Sequence, residues 1–93
     1  MKKTVMKLSK NAEKQAERLP THICRKLKMW SIDVELKGIY HVRRNPAYHD
    51  EPLQGELFGL RSIRLNRSYR AYYRITDGEI TLIQVERIDK HAY

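Results

Sequence analysis

The sequence predicts a compact α+β domain, ordered β-α-α-β-β-β, with a helical hairpin packed on an antiparallel sheet. Three observations carry that prediction. Apolar residues recur at helical spacing in the first half of the chain. Period-two alternation and turn-forming clusters fill the second half. A length of 93 residues allows one domain, spanning 1–93, with room for a single layer of helices on a sheet.

Thr4–Leu8 alternates weakly through Val5, Met6 and Leu8 and suits a short first strand. Ser9 offers an N-cap oxygen, and Asn11–Leu19 is rich in good helix formers such as Ala12, Glu13, Lys14, Gln15 and Ala16. Pro20 cannot continue that helix, and Thr21 suits the cap of the next. Within Thr21–Lys37, Ile23, Leu27, Trp30 and Val34 follow at steps of four, three and four residues, which makes one apolar stripe. Cys24, on the same helix, reads as a small buried filler. Gly38 ends or kinks the helix, and Ile39–Arg44 extends it by a further turn or so.

The character then changes. Asn45–Gly59 holds two prolines and two of the four glycines and reads as an irregular crossing loop. Leu60–Leu65 and Tyr69–Ile75 are strand-like runs separated by the turn-prone Asn66-Arg67-Ser68. Asp77-Gly78 is a two-residue hairpin signal leading into Glu79–Ile88, the most apolar run and so a central strand.

Composition narrows the classes of function. Hydrophobic residues at 41% and charged residues at 32% describe a globular chain and exclude a disordered one. Nineteen Lys+Arg against eleven Asp+Glu leave +8, which points to a polyanionic partner: nucleic acid first, an acidic protein segment second. Cys24 is the only cysteine and no Cys/His spacing suits zinc, so no metal and no disulfide are expected, and a reducing cytoplasmic setting fits. Met1–Lys7 is basic with no apolar run behind it, so neither a signal peptide nor a membrane span is expected.

Chemistry concentrates in Arg61–Arg74, where five arginines and three tyrosines share one predicted hairpin. Alternation sends Ile63 and Leu65 to one face and Ser62 and Arg64 to the other; on the next strand Arg70, Tyr72 and Arg74 oppose Ala71 and Tyr73. Arg64, Arg70 and Tyr72 therefore look out together. Guanidinium groups offer paired donors to phosphate and tyrosine rings offer platforms for unpaired bases. A solvated face on a half-exposed sheet explains the same pattern, and both readings stay open. The lysines and arginines of the first half (Lys2, Lys3, Lys7, Lys10, Lys14, Arg25, Lys26, Lys28) are either a solubilising surface or a second basic face for docking on a large RNA.

The run Asp50-Glu51-Pro52-Leu53-Gln54-Gly55, then Gly59-Leu60-Arg61-Ser62-Ile63-Arg64-Leu65, then Tyr69-Arg70-Ala71-Tyr72-Tyr73, and the ending His91-Ala92-Tyr93, resembles the RelE/ParE toxin superfamily, in particular its YoeB, YafQ and HigB-like branches. The resemblance covers roughly Pro46–Tyr93 well and the helical hairpin in outline. It implies the RelE-like fold in the element order above, and the toxin of a type II toxin–antitoxin system. The implied activity is metal-independent and cofactor-free cleavage of mRNA in the A site of the 70S ribosome. It also implies residue roles. Glu51 is the general base for the ribose 2′-OH, and Arg70 and Arg64 hold and neutralise the scissile phosphate. His91 is the general acid for the 5′-oxygen, and Tyr93 is a terminal aromatic that positions the nucleotide. Arg61, Arg67, Tyr69, Tyr72 and Lys90 complete the set as RNA contacts. A cognate antitoxin is the implied protein partner.

The sequence departs from the pattern in two places. YafQ-like members carry histidines and an Asp where this chain has Arg64, Ser68 and Glu51, and Ala92 separates His91 from Tyr93. Arg67, Lys90 and Glu86 are the fallback residues for the electrostatic or acid role. Two other functions stand beside the nuclease: a ParE-like inhibitor of DNA gyrase on the same fold, and a basic RNA- or DNA-binding module without catalysis. The Glu51, Arg70 and His91 set favours the nuclease.

Overall fold

A computed structural model describes residues 2–90. Strand β1 (Thr4–Leu8) is followed by helices α1 (Lys10–Glu17) and α2 (Thr21–Lys37) and by a single helical turn, α3 (Ile39–Val42). A 3₁₀ turn (Pro46–Tyr48) leads to the two-residue strand β2 (Glu51–Pro52), and a second (Gly55–Leu57) leads to β3 (Arg61–Arg64). Strands β4 (Tyr69–Asp77) and β5 (Thr81–Lys90) complete the described residues.

The five strands form one sheet in the order β1-β5-β4-β3-β2. The apolar β5 lies between β1 and β4, as its composition predicts. The meander from β2 to β5 is antiparallel, but β1 runs parallel to β5, so the sheet is mixed where the sequence predicts an antiparallel one. These two strands come from opposite ends of the chain and no hairpin links them, so a parallel ladder is open to them. β2 escapes the sequence reading because two residues carry no periodicity and one of them is Pro52.

Local chemistry sets the helix ends. Ser9 caps α1, its Oγ accepting from Ala12 N at 3.0 Å. Thr21, expected as the cap of α2, is instead its first helical residue. Pro20 holds the cap position, and its carbonyl already accepts from the N–H groups of Ile23 and Cys24. Ile23, Leu27, Trp30 and Val34 form the buried stripe, as their spacing predicts. Cys24 is exposed, contrary to expectation, because it sits about 100° around the helix from Ile23. Gly38 ends α2 with φ +83°, a conformation that strains any residue with a Cβ.

The core lies between the sheet and the helices. Trp30 packs on Tyr73 with ring centroids 5.1 Å apart and planes tilted by 55°. Ile63, Ala71, Ile83, Val85 and Ile88 surround the pair. Each large side chain buried in this way contributes about 1.5–3 kcal/mol.

The β4–β5 connection is a three-residue loop, Gly78-Glu79-Ile80, rather than a two-residue turn at Asp77-Gly78. Asp77 is drawn into the ladder opposite Thr81, whose hydroxyl donates to Asp77 Oδ1 at 2.7 Å. Farther along, Tyr72 pairs with Arg87 but Tyr73 pairs with Val85, so Glu86 is an extra residue, a β-bulge. Beyond the end of β1, α1 protects the free edge of β5. Ser9 Oγ donates to the Glu86 carbonyl at 2.7 Å, and Ile88 N donates to Gln15 Oε1 at 2.6 Å. Among the described residues no helix is long and apolar enough to cross a membrane.

Candidate active site on the helix-free face

Residues directly opposite one another in an antiparallel ladder share a face of the sheet. The register therefore builds two rows on the face turned away from the helices. One row runs Glu51, Ser62, Tyr72 and Arg87 across four strands, and the next runs Arg64, Arg70 and Asp89. Arg64, Arg70 and Tyr72 share this face, as alternation predicts.

Glu51 and Arg70 meet diagonally across β3, with Glu51 Oε1 3.3 Å from Arg70 Nη1. The bridge passes over Ser62, a fully buried residue small enough to lie beneath it. Arg70 is only 13% exposed whereas Glu51 is 57% exposed, so a guanidinium fixed within the sheet holds a carboxylate that reaches solvent. Tyr72 is buried, and the Arg87 guanidinium lies 4.8 Å above its ring. Arg87 Nε lies 2.9 Å from Asp89 Oδ2, an ion pair between two residues of β5 on the same face.

Asp50, next to Glu51, points the other way. Its carboxylate is fully buried, 2.7 Å from Arg61 Nε, and accepts a hydrogen bond from the Tyr73 hydroxyl. Burial works against the charge of Arg61, but the bond and charge of Asp50 outweigh it and raise the Arg61 pKa. Burial first, and then the same carboxylate, raises the Tyr73 pKa far above its ordinary value. This buried trio holds the loop to the underside of the sheet, and Glu51 emerges one residue later on the upper side. The Asp50-Glu51 pair is thus the entry to β2.

The other RNA-contact candidates divide. Arg61 belongs to the Asp50 trio on the helix side and does not join Arg64 and Arg70. Tyr69 and Lys90 pair with each other on that same side, with Tyr69 packed against the core. Arg67 is exposed at the tip of the β3–β4 turn, which Asn66 closes by accepting from Ser68 N and Tyr69 N. His91 and Tyr93 lie outside the described residues. Arg87 and Asp89 are the members of the face that alternation misses. Counting in twos from Ile83 and Val85 sends Arg87 toward the helices, and the bulge at Glu86 reverses it. Among the described residues no three His, Cys, Asp or Glu side chains gather as a metal site.

No family model and no curated protein matches the chain. Solved structures do match it over nearly its whole length. A chain of the RelBE2 toxin–antitoxin complex from Mycobacterium tuberculosis superposes with a TM-score of 0.68 at 25% identity, covering 94% of this chain and 96% of that one. A chain of the archaeal RelE–RelB complex from Pyrococcus horikoshii OT3 gives 0.72 at 21% identity, covering 99% and 98%. A chain of the E. coli DinJ–YafQ toxin–antitoxin complex gives 0.69 at 22% identity, covering 96% and 93%.

Proposed function

From the RelE-like toxin fold that this chain carries, we propose that it is the toxin of a type II toxin–antitoxin system and a ribosome-dependent mRNA endonuclease. The observation that carries this reading is the Glu51–Arg70 pair on the helix-free face, with Arg64 beside it on the neighbouring strand. A carboxylate that reaches solvent and two strand-held guanidinium groups are the components that 2′-OH attack on a phosphodiester requires.

In this mechanism Glu51 takes the proton of the 2′-OH as its oxygen forms a bond to phosphorus. Arg70 and Arg64 hold the non-bridging oxygens on which negative charge builds. The bond from phosphorus to the 5′-oxygen breaks, and His91 supplies the proton to that oxygen. The products are a 2′,3′-cyclic phosphate and a 5′-hydroxyl. Because the ribose is its own nucleophile, RNA is cut and DNA is not. Tyr72, expected as an RNA contact, is buried beneath the Arg87 guanidinium, so it is Arg87, together with Tyr93, that serves to seat the bases. The partners are mRNA in the 70S ribosomal A site and a cognate antitoxin. The +8 charge of the chain would draw an acidic antitoxin segment rapidly. The place of action is the cytoplasm.

Primer extension on transcripts after induction, with and without a block on translation, tests the reading. Breaks confined to translated mRNA, absent with Arg70→Ala, are the expected result. Intact transcripts with accumulated gyrase–DNA breaks would replace it with the gyrase-directed alternative. RNA affinity without toxicity would leave a binding module.

A further inference from the structure

A second cationic feature adjoins the active face without belonging to it. At the tip of the β3–β4 hairpin a cavity of about 220 Å³ is lined by Lys26, His49, Arg64, Leu65, Asn66 and Arg67, with Ala47 at its edge. Three separate parts of the chain converge there: the exposed side of α2, the loop after the first 3₁₀ turn, and the hairpin tip. No carboxylate lines it. Among the described residues, none of Lys26, Arg64 and Arg67 has a carboxylate within ion-pair distance, whereas Arg61, Arg70, Arg74 and Arg87 each have one. Uncompensated positive charge facing a common hollow repels itself unless an anion enters.

The wall is built in advance. Tyr48 is buried and its hydroxyl donates to Asp33 Oδ2 on α2 at 2.9 Å, which ties the loop to the helix. Lys26 lies 4.9 Å over the ring of that tyrosine. The next residue, His49, is the one non-glycine among the described residues with positive φ, at +48°. Few residues other than glycine adopt this left-handed conformation, histidine being one that does, and it sets His49 in the cavity wall.

We propose that this hollow is a phosphate subsite for single-stranded RNA, taking a phosphodiester that flanks the scissile one. Arg64 stands between the two positions, since it lines the cavity and also pairs across the ladder with Arg70. Lys26 and Arg67 carry the charge, and His49 adds a ring N–H donor. The subsite rests on the nuclease reading, for which it supplies a second anchor that fixes the register of the strand. A short backbone held at two phosphates cannot slide past Glu51.

The test uses a short oligoribonucleotide with 2′-O-methyl riboses, which cannot be cut, bound to the full chain across a salt series. Wild type is compared with Lys26→Ala/Arg67→Ala, with Arg67→Ala alone at its exposed position, and with Arg70→Ala. The double variant is expected to lose about tenfold in affinity, and its dependence of log K on log salt becomes shallower by about 0.7 for each phosphate released. Replacing single linkages by neutral methylphosphonate is expected to reproduce the loss at one linkage in wild type, with no further loss there in the double variant. A wild type that binds RNA and a double variant with unchanged affinity and slope would overturn the subsite and leave the nuclease reading standing. A wild type that neither binds nor cuts RNA would remove both. Displacement of the oligonucleotide by inorganic phosphate at equal concentration would make the hollow a site for free phosphate and overturn its assignment to RNA.

Discussion

Glu51 Oε1 and Arg70 Nη1 lie 3.3 Å apart although their strands are not neighbours, because the pair closes over Ser62 of the intervening β3. An ion pair spanning three strands fixes the carboxylate relative to the guanidinium without either residue sitting on a loop tip.

Arg70→Ala removes the cation fixed in the sheet, and a loss of about 10²–10³-fold in cleavage rate is expected. Arg70→Lys keeps the charge but gives up the paired donors, and should fall between the two. Counting breaks by primer extension at matched expression measures the effect. Full toxicity from the alanine variant would remove Arg70 from the mechanism.

Ser62 is the spacer beneath the bridge. Ser62→Leu puts three more carbons where none fits, with an expected destabilisation of about 1–3 kcal/mol. It should also push Glu51 and Arg70 apart, so cleavage falls by more than the loss of folded protein explains. Ser62→Ala leaves the space unchanged and should keep the activity. Equal activity in the leucine variant, normalised to its folded fraction, would show that the bridge does not matter.

The buried Asp50 carboxylate joins the partly exposed Arg61 to the buried Tyr73. Asp50→Ala leaves a guanidinium and a buried hydroxyl without their acceptor, and a loss of about 3 kcal/mol is expected in urea unfolding. Tyr73→Phe removes one donor only and should cost about 1–2 kcal/mol. A smaller effect from Asp50→Ala than from Tyr73→Phe would contradict the trio as drawn.

Tyrosine titration sets an alkaline limit. Burial first, and then the hydrogen bond to Asp33, push Tyr48 up to about 12. In the unfolded chain tyrosine titrates near 10, so the folded form holds this proton more tightly. The stabilisation is therefore complete below about pH 10 and is lost as pH rises through about 12. Tyr73 is shifted in the same direction by burial and Asp50. The melting temperature should thus fall steeply above pH 10, and Tyr48→Phe should make that fall shallower. An identical alkaline profile for the two proteins would refute the assignment.

The readable parts of this molecule are those where one physical signal acts alone. Thr4–Leu8 appears with the bounds that alternation predicts, the apolar stripe of α2 is buried as its spacing predicts, and Arg64 with Arg70 follows from simple alternation across a tight turn. The signal fails where a contact distant in sequence decides. β2 exists because β3 pairs with it, not because Glu51-Pro52 favours a strand. Asp77 joins the ladder through the Thr81 hydroxyl, which a turn signal at Asp77-Gly78 does not anticipate. Arg61 reads like the other arginines of its hairpin, and only the buried Asp50 separates it from them. Arg87 is hidden for a different reason, since one extra residue puts it on the face opposite to the one that counting assigns.

That extra residue, Glu86, imposes a parity rule on the last strand. Ahead of it the odd-numbered Ile83 and Val85 face the helices; beyond it the even-numbered Ile88 does, and Arg87 and Asp89 look the other way. Deleting Glu86 would leave Val85, Arg87, Ile88 and Asp89 in plain alternation, so Ile88 would still face the helices and Arg87 the active face. The assignment of the two faces therefore survives the loss of the bulge. A descendant that lost Glu86 alone would keep every arginine on its face and give up only the added local twist of β5 and the approach of Glu86 to Arg74.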